Sequence, residues 1–271
     1  MKTKIKICLA GATGWTGSAL CRAIAISEDL ELVGAVANST SGQNIGTVLG
    51  IGSLDVLISP DVETALQTAT DVLIDYTNPK VVFENTQRAL REKVSVVVGT
   101  SGLTAQDYSQ LEILARAQNV GVIAAGNFSL TAALAKHFSL IAAKYLPHRE
   151  IIDYASATKI DVPSGTAREL AEALATAQPN QMGRAISEIL GPREARGAIV
   201  EGTPVHSLRL PGYTLAFETL FGLPDERLTI RHDAGRSAAP YVAGTLLAAR
   251  KVGTVKGVIR GLDQLLFSNL H

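Results

Sequence analysis

The sequence predicts an α/β fold in two parts, a doubly wound parallel sheet and a second α+β domain built on a mixed sheet. Three observations carry this. Between Ile5 and Ala124, short apolar runs of strand length alternate with helix-length stretches. A glycine-rich turn, Gly11-Ala12-Thr13-Gly14-Trp15-Thr16-Gly17, separates the first such run from the first helix. Beyond Asn127 the rhythm changes, and alternating strands punctuated by turn residues predominate. Strand-helix alternation means parallel strands with a helix in each crossover. A region of hairpins means antiparallel pairing.

Ile5 to Ala10 is the first strand, and Ser18 to Ile26 the first helix, with Leu20, Ala23 and Ile24 grouped at three- and four-residue spacing. Leu30 to Ala37, Val72 to Tyr76, Ser95 to Val98 and Val120 to Ala124 continue the strands. The intervening helices are expected from Pro79 to about Arg91, with proline in the first turn, and from about Thr104 to Gln118, with Thr104 as N-cap and Asp107 three residues on. After Asn127 come a helix through Tyr145, a strand near Glu150 to Tyr154, a Gly/Pro/Ser loop, and a helix from about Thr166 to Ala177. Ile186 to Arg231 favours strands. Among them are His206 to Leu210, Thr214 to Phe221 and Arg227 to His232, separated by Pro211-Gly212 and Leu223-Pro224-Asp225. A final helix, Tyr241 to Val252, ends near Gly253 and leaves a short tail. This rhythm divides the chain into a dinucleotide-binding domain, 1–126 plus 237–271, and a domain for substrate binding and oligomerisation, 127–236.

A chain of 271 residues, 46% of them apolar, can bury a sizeable core. Its 25 basic and 25 acidic residues are scattered, so there is no electrostatic footprint for nucleic acid or an anionic membrane. A small-molecule partner is the expectation. No apolar run reaches the length of a membrane span. The charged start Met1-Lys2-Thr3-Lys4 resembles a signal peptide, but Gly11, Gly14 and Gly17 interrupt the apolar stretch that follows. Cys8 and Cys21, without metal-ligand spacing, read as buried reduced thiols, and the expected location is the cytoplasm. No metal site is expected.

A strand feeding into Gly11, Thr13, Gly14, Trp15, Thr16 and Gly17 and then a helix is the phosphate loop of a Rossmann-type fold. Glycine lets the backbone approach a pyrophosphate, and the helix start favours an anion. A tight turn needed only for packing is the alternative. An acidic residue ending the second strand would hold the ribose hydroxyls of NAD, but the chain has Ala37-Asn38-Ser39-Thr40 there, and Glu31 lies at the wrong end. Asn38 is the residue placed to meet the adenosine ribose. The missing carboxylate leans towards NADP, although no arginine follows to bind a 2′-phosphate. The cofactor expected is NADPH or NADH.

Four further segments carry detail: Asp75-Tyr76-Thr77-Asn78-Pro79, Val98-Gly99-Thr100-Ser101-Gly102-Leu103, Gly126-Asn127-Phe128-Ser129-Leu130, and Lys159-Ile160-Asp161-Val162-Pro163-Ser164-Gly165-Thr166-Ala167. With the glycine loop, in this order and spacing, they resemble the dihydrodipicolinate reductase (4-hydroxy-tetrahydrodipicolinate reductase) family of bacterial lysine biosynthesis. The stretches Val205 to Arg209 and Leu228 to His232 are similar to it as well. The resemblance implies an NAD(P)H-dependent reductase of a cyclic imine or unsaturated ring carboxylate, assembled as a homotetramer through the second domain's sheet. It implies that Lys159, Ser164, Gly165 and Thr166 hold the substrate carboxylates. It further implies that Tyr76, Thr77, Gly99, Thr100, Ser101, Asn127 and Phe128 line the cofactor site. Independently, a lysine supplies a point charge and a Ser-Gly-Thr helix start supplies free N–H groups for an anion. An N-capped helix beside a surface lysine is the alternative.

One departure stands out. The family carries a His-His pair shortly before the lysine, its first member the proton donor, and ungapped counting puts Ala155 and Ser156 there. Lys159, Tyr154, Ser156 through a water, a protonated group on a different substrate, His206 and His232 are open as replacements; His137, His148 and His271 read as surface or core histidines. Lys159 is the catalytic residue chosen. A catalytically quiet nucleotide-binding homologue, serving as sensor or assembly component, is the competing reading. The glycine loop also looks like that of semialdehyde and acyl-phosphate reductases, but those need a cysteine in the second half of the chain, and there is none.

Overall fold

The structure, a computed structural model, describes residues 3–267, so His271 lies outside the described residues. The chain forms two units, 1–130 with 238–271 and 131–237. The sequence boundaries fell at 126 and 237.

The first unit runs β1 (Ile5–Ala10), α1 (Trp15–Ala25), β2 (Leu30–Val36), α2 (Ile45–Leu49), β3 (Ile58–Ser59), α3 (Val62–Ala65), β4 (Val72–Asp75), α4 (Val82–Arg91), β5 (Ser95–Val98), α5 (Ala105–Gln118) and β6 (Gly121–Ala124). The second unit follows with α6 (Leu130–Ala143), β7 (His148–Ala155), α7 (Gly165–Ala177), β8 (Ala198–Val200), β9 (Thr203–Arg209), β10 (Leu215–Leu223) and β11 (Glu226–Ala234). The chain returns to the first unit as α8 (Ala239–Val252), β12 (Gly257–Arg260) and α9 (Leu262–Phe267).

In the first unit the sheet order is β12-β6-β5-β4-β1-β2-β3, and every pairing is parallel. All residues of β4, β5 and β6 are buried, which is why these strands read as continuous apolar runs rather than alternating ones. The order reverses between β1 and β4, and in such sheets a ligand crevice opens at the carboxyl ends of the two strands flanking that switch. The expected cap of α5 is present as a reciprocal pair: Asp107 N–H donates to Thr104 Oγ1 at 3.2 Å, and Thr104 N–H to Asp107 Oδ2 at 2.7 Å.

In the second unit the order is β11-β10-β7-β9-β8, with β9 parallel to β7 and the other pairs antiparallel. One face packs on α6 and α7 through Ile151, Val205, Phe217 and Phe221 against Ala132, Ala135, Leu170, Ala171 and Leu174. The alternate residues of β7, Glu150, Ile152 and Tyr154, point to the face without helices.

Several sequence expectations are corrected. Pro79 lies in the turn before α4 rather than in its first turn; the Val82 N–H donates back to the Asn78 carbonyl at 3.2 Å. The stretch 186–196 is not strand but two short 3₁₀ turns, because Gly191 and Gly197 take positive φ on either side of Pro192-Arg193. The short tail after α8 carries further elements: β12 pairs with β6, bracketed by Gly257 and Gly261 at positive φ. β7 begins at His148, two residues before the strand expected near Glu150 to Tyr154. The short elements α2, β3 and α3 had no expectation.

Candidate active site

The glycine triplet is explained by close approach. Gly11 turns the chain at φ +81°, and a Cβ there would lie 2.2 Å from the Tyr76 carbonyl oxygen, so only glycine lets the end of β4 come this near. A Cβ on Gly17 would stand 2.0 Å from the Gly11 carbonyl oxygen, so glycine is what lets α1 begin against the turn. Gly14 is the N-cap of α1 and has no side chain to offer its first-turn N–H groups. The N-caps of α2, α3, α5 and α7, Asn44, Asp61, Thr104 and Ser164, all accept such a bond. An uncapped helix start carries unsatisfied N–H groups and the positive end of the helix dipole, a place suited to an anion. Thr13 is half-buried within the turn, and Trp15 is exposed, set edge-on to Tyr241 at 5.8 Å.

Gly14, Trp15 and Thr16 meet Tyr76, Thr77, Gly99, Thr100 and Ser101 around one cavity of ≈ 410 Å³. Asp75, fully buried at the end of β4, ties the loops after β4 and β5 together. Its Oδ1 accepts from the Thr77 N–H at 3.0 Å and from the Thr77 and Thr100 hydroxyls at 2.7 Å, and its Oδ2 from Asn85 Nδ2 at 2.8 Å. Nothing in the Asp75-Tyr76-Thr77-Asn78-Pro79 segment of the sequence singles Asp75 out for this part. The Tyr76 ring lies so close over Gly99 that a Cβ there would fall 2.2 Å from Cζ. Thr245 Oγ1 donates to the Tyr241 carbonyl at 2.7 Å, so the Tyr76 hydroxyl donates to Thr245 Oγ1 at 2.8 Å, and burial pushes the Tyr76 phenol above its ordinary value.

Six expected cofactor residues do not line this cavity: Gly11, Thr13 and Gly17 of the glycine turn, and Asn38, Asn127 and Phe128 elsewhere in the unit. Asn38 is exposed on the loop after β2, where the Thr40 hydroxyl is buried without a partner. Asn127 closes an Asx turn with the Ser129 N–H at 2.8 Å, leaving its Nδ2 buried and unpartnered. Phe128 is 1% exposed and packs near the Tyr76 ring, so its side chain faces core. Burial pushes the Cys8 and Cys21 thiols up to about 12, which makes both inert as nucleophiles at neutral pH.

In the second unit Asp153, fully buried on β7, is the hub. It accepts from the Ser164 N–H at 2.8 Å, the Ser164 hydroxyl at 2.7 Å, the Ser207 hydroxyl at 3.2 Å and Arg209 Nη2 at 2.8 Å. Ser164 Oγ in turn caps α7 by accepting from the Ala167 N–H at 3.3 Å. The start of α7 is thereby fixed, with Gly165 exposed and Thr166 half-buried. Beyond its chain neighbours and its own helix turn, a Cβ on Gly165 would meet no atom within 4 Å, and its φ is not in the left-handed region, so the fold itself gives no reason for glycine here. Lys159 Nζ lies 2.7 Å from Asp161 Oδ1.

The candidates for the missing histidine pair separate by face. Ala155 is fully buried at the end of β7, and the Ser156 hydroxyl is 3.1 Å from that of Thr158. Tyr154 lies on the helix-free face with its ring 5.0 Å from Tyr213 and under the Arg231 guanidinium, and burial followed by the Glu218 charge raises its phenol. His206 is on that face too, its Nε2 2.7 Å from Glu150 Oε2. His232 is on the opposite, helix-covered face with Asp153. Its Nδ1 is 3.2 Å from Thr131 Oγ1, its Nε2 is buried without a partner, and burial lowers its pKa. Among the described residues no cluster could hold a metal ion, and no helix is long and apolar enough to cross a membrane.

Comparison with known proteins gives a consistent result. The family models described as "Dihydrodipicolinate reductase, N-terminus" and "Dihydrodipicolinate reductase, C-terminus" match residues 5–128 and 128–266. A 4-hydroxy-tetrahydrodipicolinate reductase of Moorella thermoacetica is 38% identical, covering 98% of this chain and 99% of its own length. One of Synechocystis is also 38% identical, over 97% and 98%. Among solved structures, a dipicolinate-bound dihydrodipicolinate reductase from Paenisporosarcina superposes with a TM-score of 0.83 at 31% identity, covering 97% of this chain and 100% of that one.

Proposed function

The chain belongs to the dihydrodipicolinate reductase family and is an NAD(P)H-dependent oxidoreductase; from that premise we propose that it reduces a cyclic imine or unsaturated ring bearing carboxylates, with 4-hydroxy-tetrahydrodipicolinate as the first substrate to test. The observation that carries this is Gly165: a glycine for which the fold has no steric need, at the start of a helix already capped by Ser164, six residues after Lys159 and two after Pro163. That is a place for a carboxylate. A pure nucleotide binder has no use for it, which weighs against the catalytically quiet alternative.

A nicotinamide dinucleotide fits the first unit, given the glycine cradle at Gly11 and Gly17, the uncapped start of α1 at Gly14, and the unpartnered Asn127 Nδ2. When bound, it supplies the hydride. Thr13, Trp15 and Thr16 would hold its phosphates. Tyr76, Thr77, Gly99, Thr100 and Ser101, kept in place by Asp75, would orient the nicotinamide, with the Phe128 backbone beside Asn127. Asn38 and the unpartnered Thr40 hydroxyl would meet the ribose, and the lack of a carboxylate in 37–40 supports NADPH over NADH.

On the second unit, Lys159, Ser164, Gly165 and Thr166 hold and orient the ring carboxylates. Lys159 Nζ also supplies the proton that Ala155 and Ser156 cannot. Tyr154 and His206, on the helix-free face, are set aside on that ground. The same face, with Ile152 and Leu220 half-buried on it, is the surface through which four copies assemble. The reduced thiols fit a cytoplasmic location.

Steady-state rates with freshly generated 4-hydroxy-tetrahydrodipicolinate test the reading. Lys159→Met is expected to lower kcat/KM at least about 10²-fold, the worth of a positioned proton donor. Activity within threefold of the unaltered protein refutes Lys159 as the donor, and a tenfold preference for NADH refutes the cofactor reading. Light scattering on the purified protein at micromolar concentration should give the mass of four chains; a monomer contradicts the assembly.

A further inference from the structure

The carboxylate site assigned above already holds a carboxylate, the chain's own. Lys159 Nζ lies 2.7 Å from Asp161 Oδ1. The Asp161 carboxyl sits below its ordinary range: burial opposes this, but the Lys159 hydrogen bond and charge outweigh it, with the Gly165 backbone N–H contributing. The Lys159 ammonium is the charged donor given above to the substrate. We propose that Asp161 is a built-in stand-in for a substrate carboxylate, occupying the Lys159 ammonium until a dicarboxylate displaces it. The inference rests on the substrate reading of the preceding section.

The local structure suits a displaceable group. The Asp161 backbone is anchored, its carbonyl accepting from Arg209 Nη2 at 2.8 Å while Arg209 is fixed by Asp153. The side chain is 36% exposed, and its neighbours Ile160 and Val162 are 96% and 58% exposed, so nothing packs the segment into the core. The carboxylate can leave while the backbone stays. A second anion arriving at Lys159 meets like-charge repulsion from Asp161 and gains the ammonium only as the first contact breaks. Ligands lacking an anionic group gain nothing from opening it, so the contact also selects for carboxylates.

Calorimetric titration with dipicolinate, using the full chain saturated with NADPH, tests this. The variants are Asp161→Asn, Lys159→Met and the pair together. A partly exposed ion pair of ordinary strength predicts that Asp161→Asn binds dipicolinate about two- to fivefold more tightly than the unaltered protein. The gain should vanish in the Lys159→Met background. Equal or weaker binding by Asp161→Asn overturns the proposal, since it would mean that Asp161 orients Lys159 for the ligand rather than competing with it. Dipicolinate binding by Asp161→Asn alone would be the extreme form of the same closure. Absence of binding by both proteins overturns the substrate reading itself, and the closure with it.

Discussion

Replacing Gly165 by alanine separates what the fold needs from what a ligand needs. Beyond its chain neighbours and its own helix turn, the added methyl would meet no atom within 4 Å, the backbone there is not left-handed, and the position is the first of α7, already capped by Ser164. Nothing is displaced, and restricting the unfolded chain contributes a stabilisation of about 0.4–1 kcal/mol. Gly165→Ala is therefore expected to match or slightly exceed the unaltered protein in urea unfolding. A bound carboxylate is another matter, because the methyl occupies the space through which it would approach the Gly165 N–H. Losing one hydrogen bond to a charged group is worth about 1.5–3 kcal/mol, or roughly 10- to 150-fold in dipicolinate affinity. Urea unfolding and calorimetry on the same preparation read both quantities. If the variant loses more than about 1 kcal/mol of stability, the open space at Gly165 is misdescribed. If it binds dipicolinate within twofold of the unaltered protein, the start of α7 is not the carboxylate site.

Other substitutions test the remaining joints. Gly99→Ala would drive a methyl to 2.2 Å from the Tyr76 ring, and relieving that overlap should cost about 1–3 kcal/mol and weaken NADPH binding measured by fluorescence titration; Tyr76→Phe, losing only the Thr245 hydrogen bond, should cost about 1 kcal/mol. Asp153→Asn leaves Arg209 without its buried partner and should lower unfolding free energy by about 3–5 kcal/mol, while Ser164→Ala, a lost cap, should lower it by about 0.5–2 kcal/mol. Restoring the histidine pair should be asymmetric: Ser156→His is tolerated at a half-buried position, whereas Ala155→His enlarges a fully buried one and should cost about 1–3 kcal/mol in thermal unfolding scans. Asp29, held well below the usual carboxylate range by two hydrogen bonds from Arg250 and one from Ser27, has a folded pKa beneath its unfolded one. Its contribution to stability is thus present above about pH 4 and lost as pH falls through the folded value. Arg250→Gln should lower the melting temperature by about 1–2 °C at neutral pH, the modest worth of an exposed pair, and the difference should shrink below about pH 3.

Much of the first unit was legible because its physics is local. Buried parallel strands such as Leu73-Ile74 and Val96-Val97-Val98 are continuous apolar runs, the Thr104/Asp107 box announces a helix, and Gly11, Gly14 and Gly17 stand at the first strand-to-helix turn. What was misread depends on context. Val258 and Ile259 make a strand only because β6 lies alongside, and 186–196 resembles a strand until two glycines and a proline fold it into 3₁₀ turns. In the candidate site the motif residues were recognisable, but the carboxylates that organise them, Asp75 and Asp153, were not. Each is defined by four donors from three separate residues, and no spacing in the sequence announces such a convergence. The faces of the second sheet were likewise hidden, since only the strand register separates Tyr154 and His206 from Asp153 and His232.

Hydride transfer to a ring dicarboxylate is the central claim, and isotope transfer tests it most directly. The protein is incubated with 4-hydroxy-tetrahydrodipicolinate and NADPH carrying deuterium at the transferable ring position, and the dicarboxylate product is weighed by mass spectrometry. The expected product is one mass unit heavier than with unlabelled NADPH, formed in proportion to protein and suppressed in Lys159→Met. An unlabelled dicarboxylate and an unconsumed cofactor would contradict it.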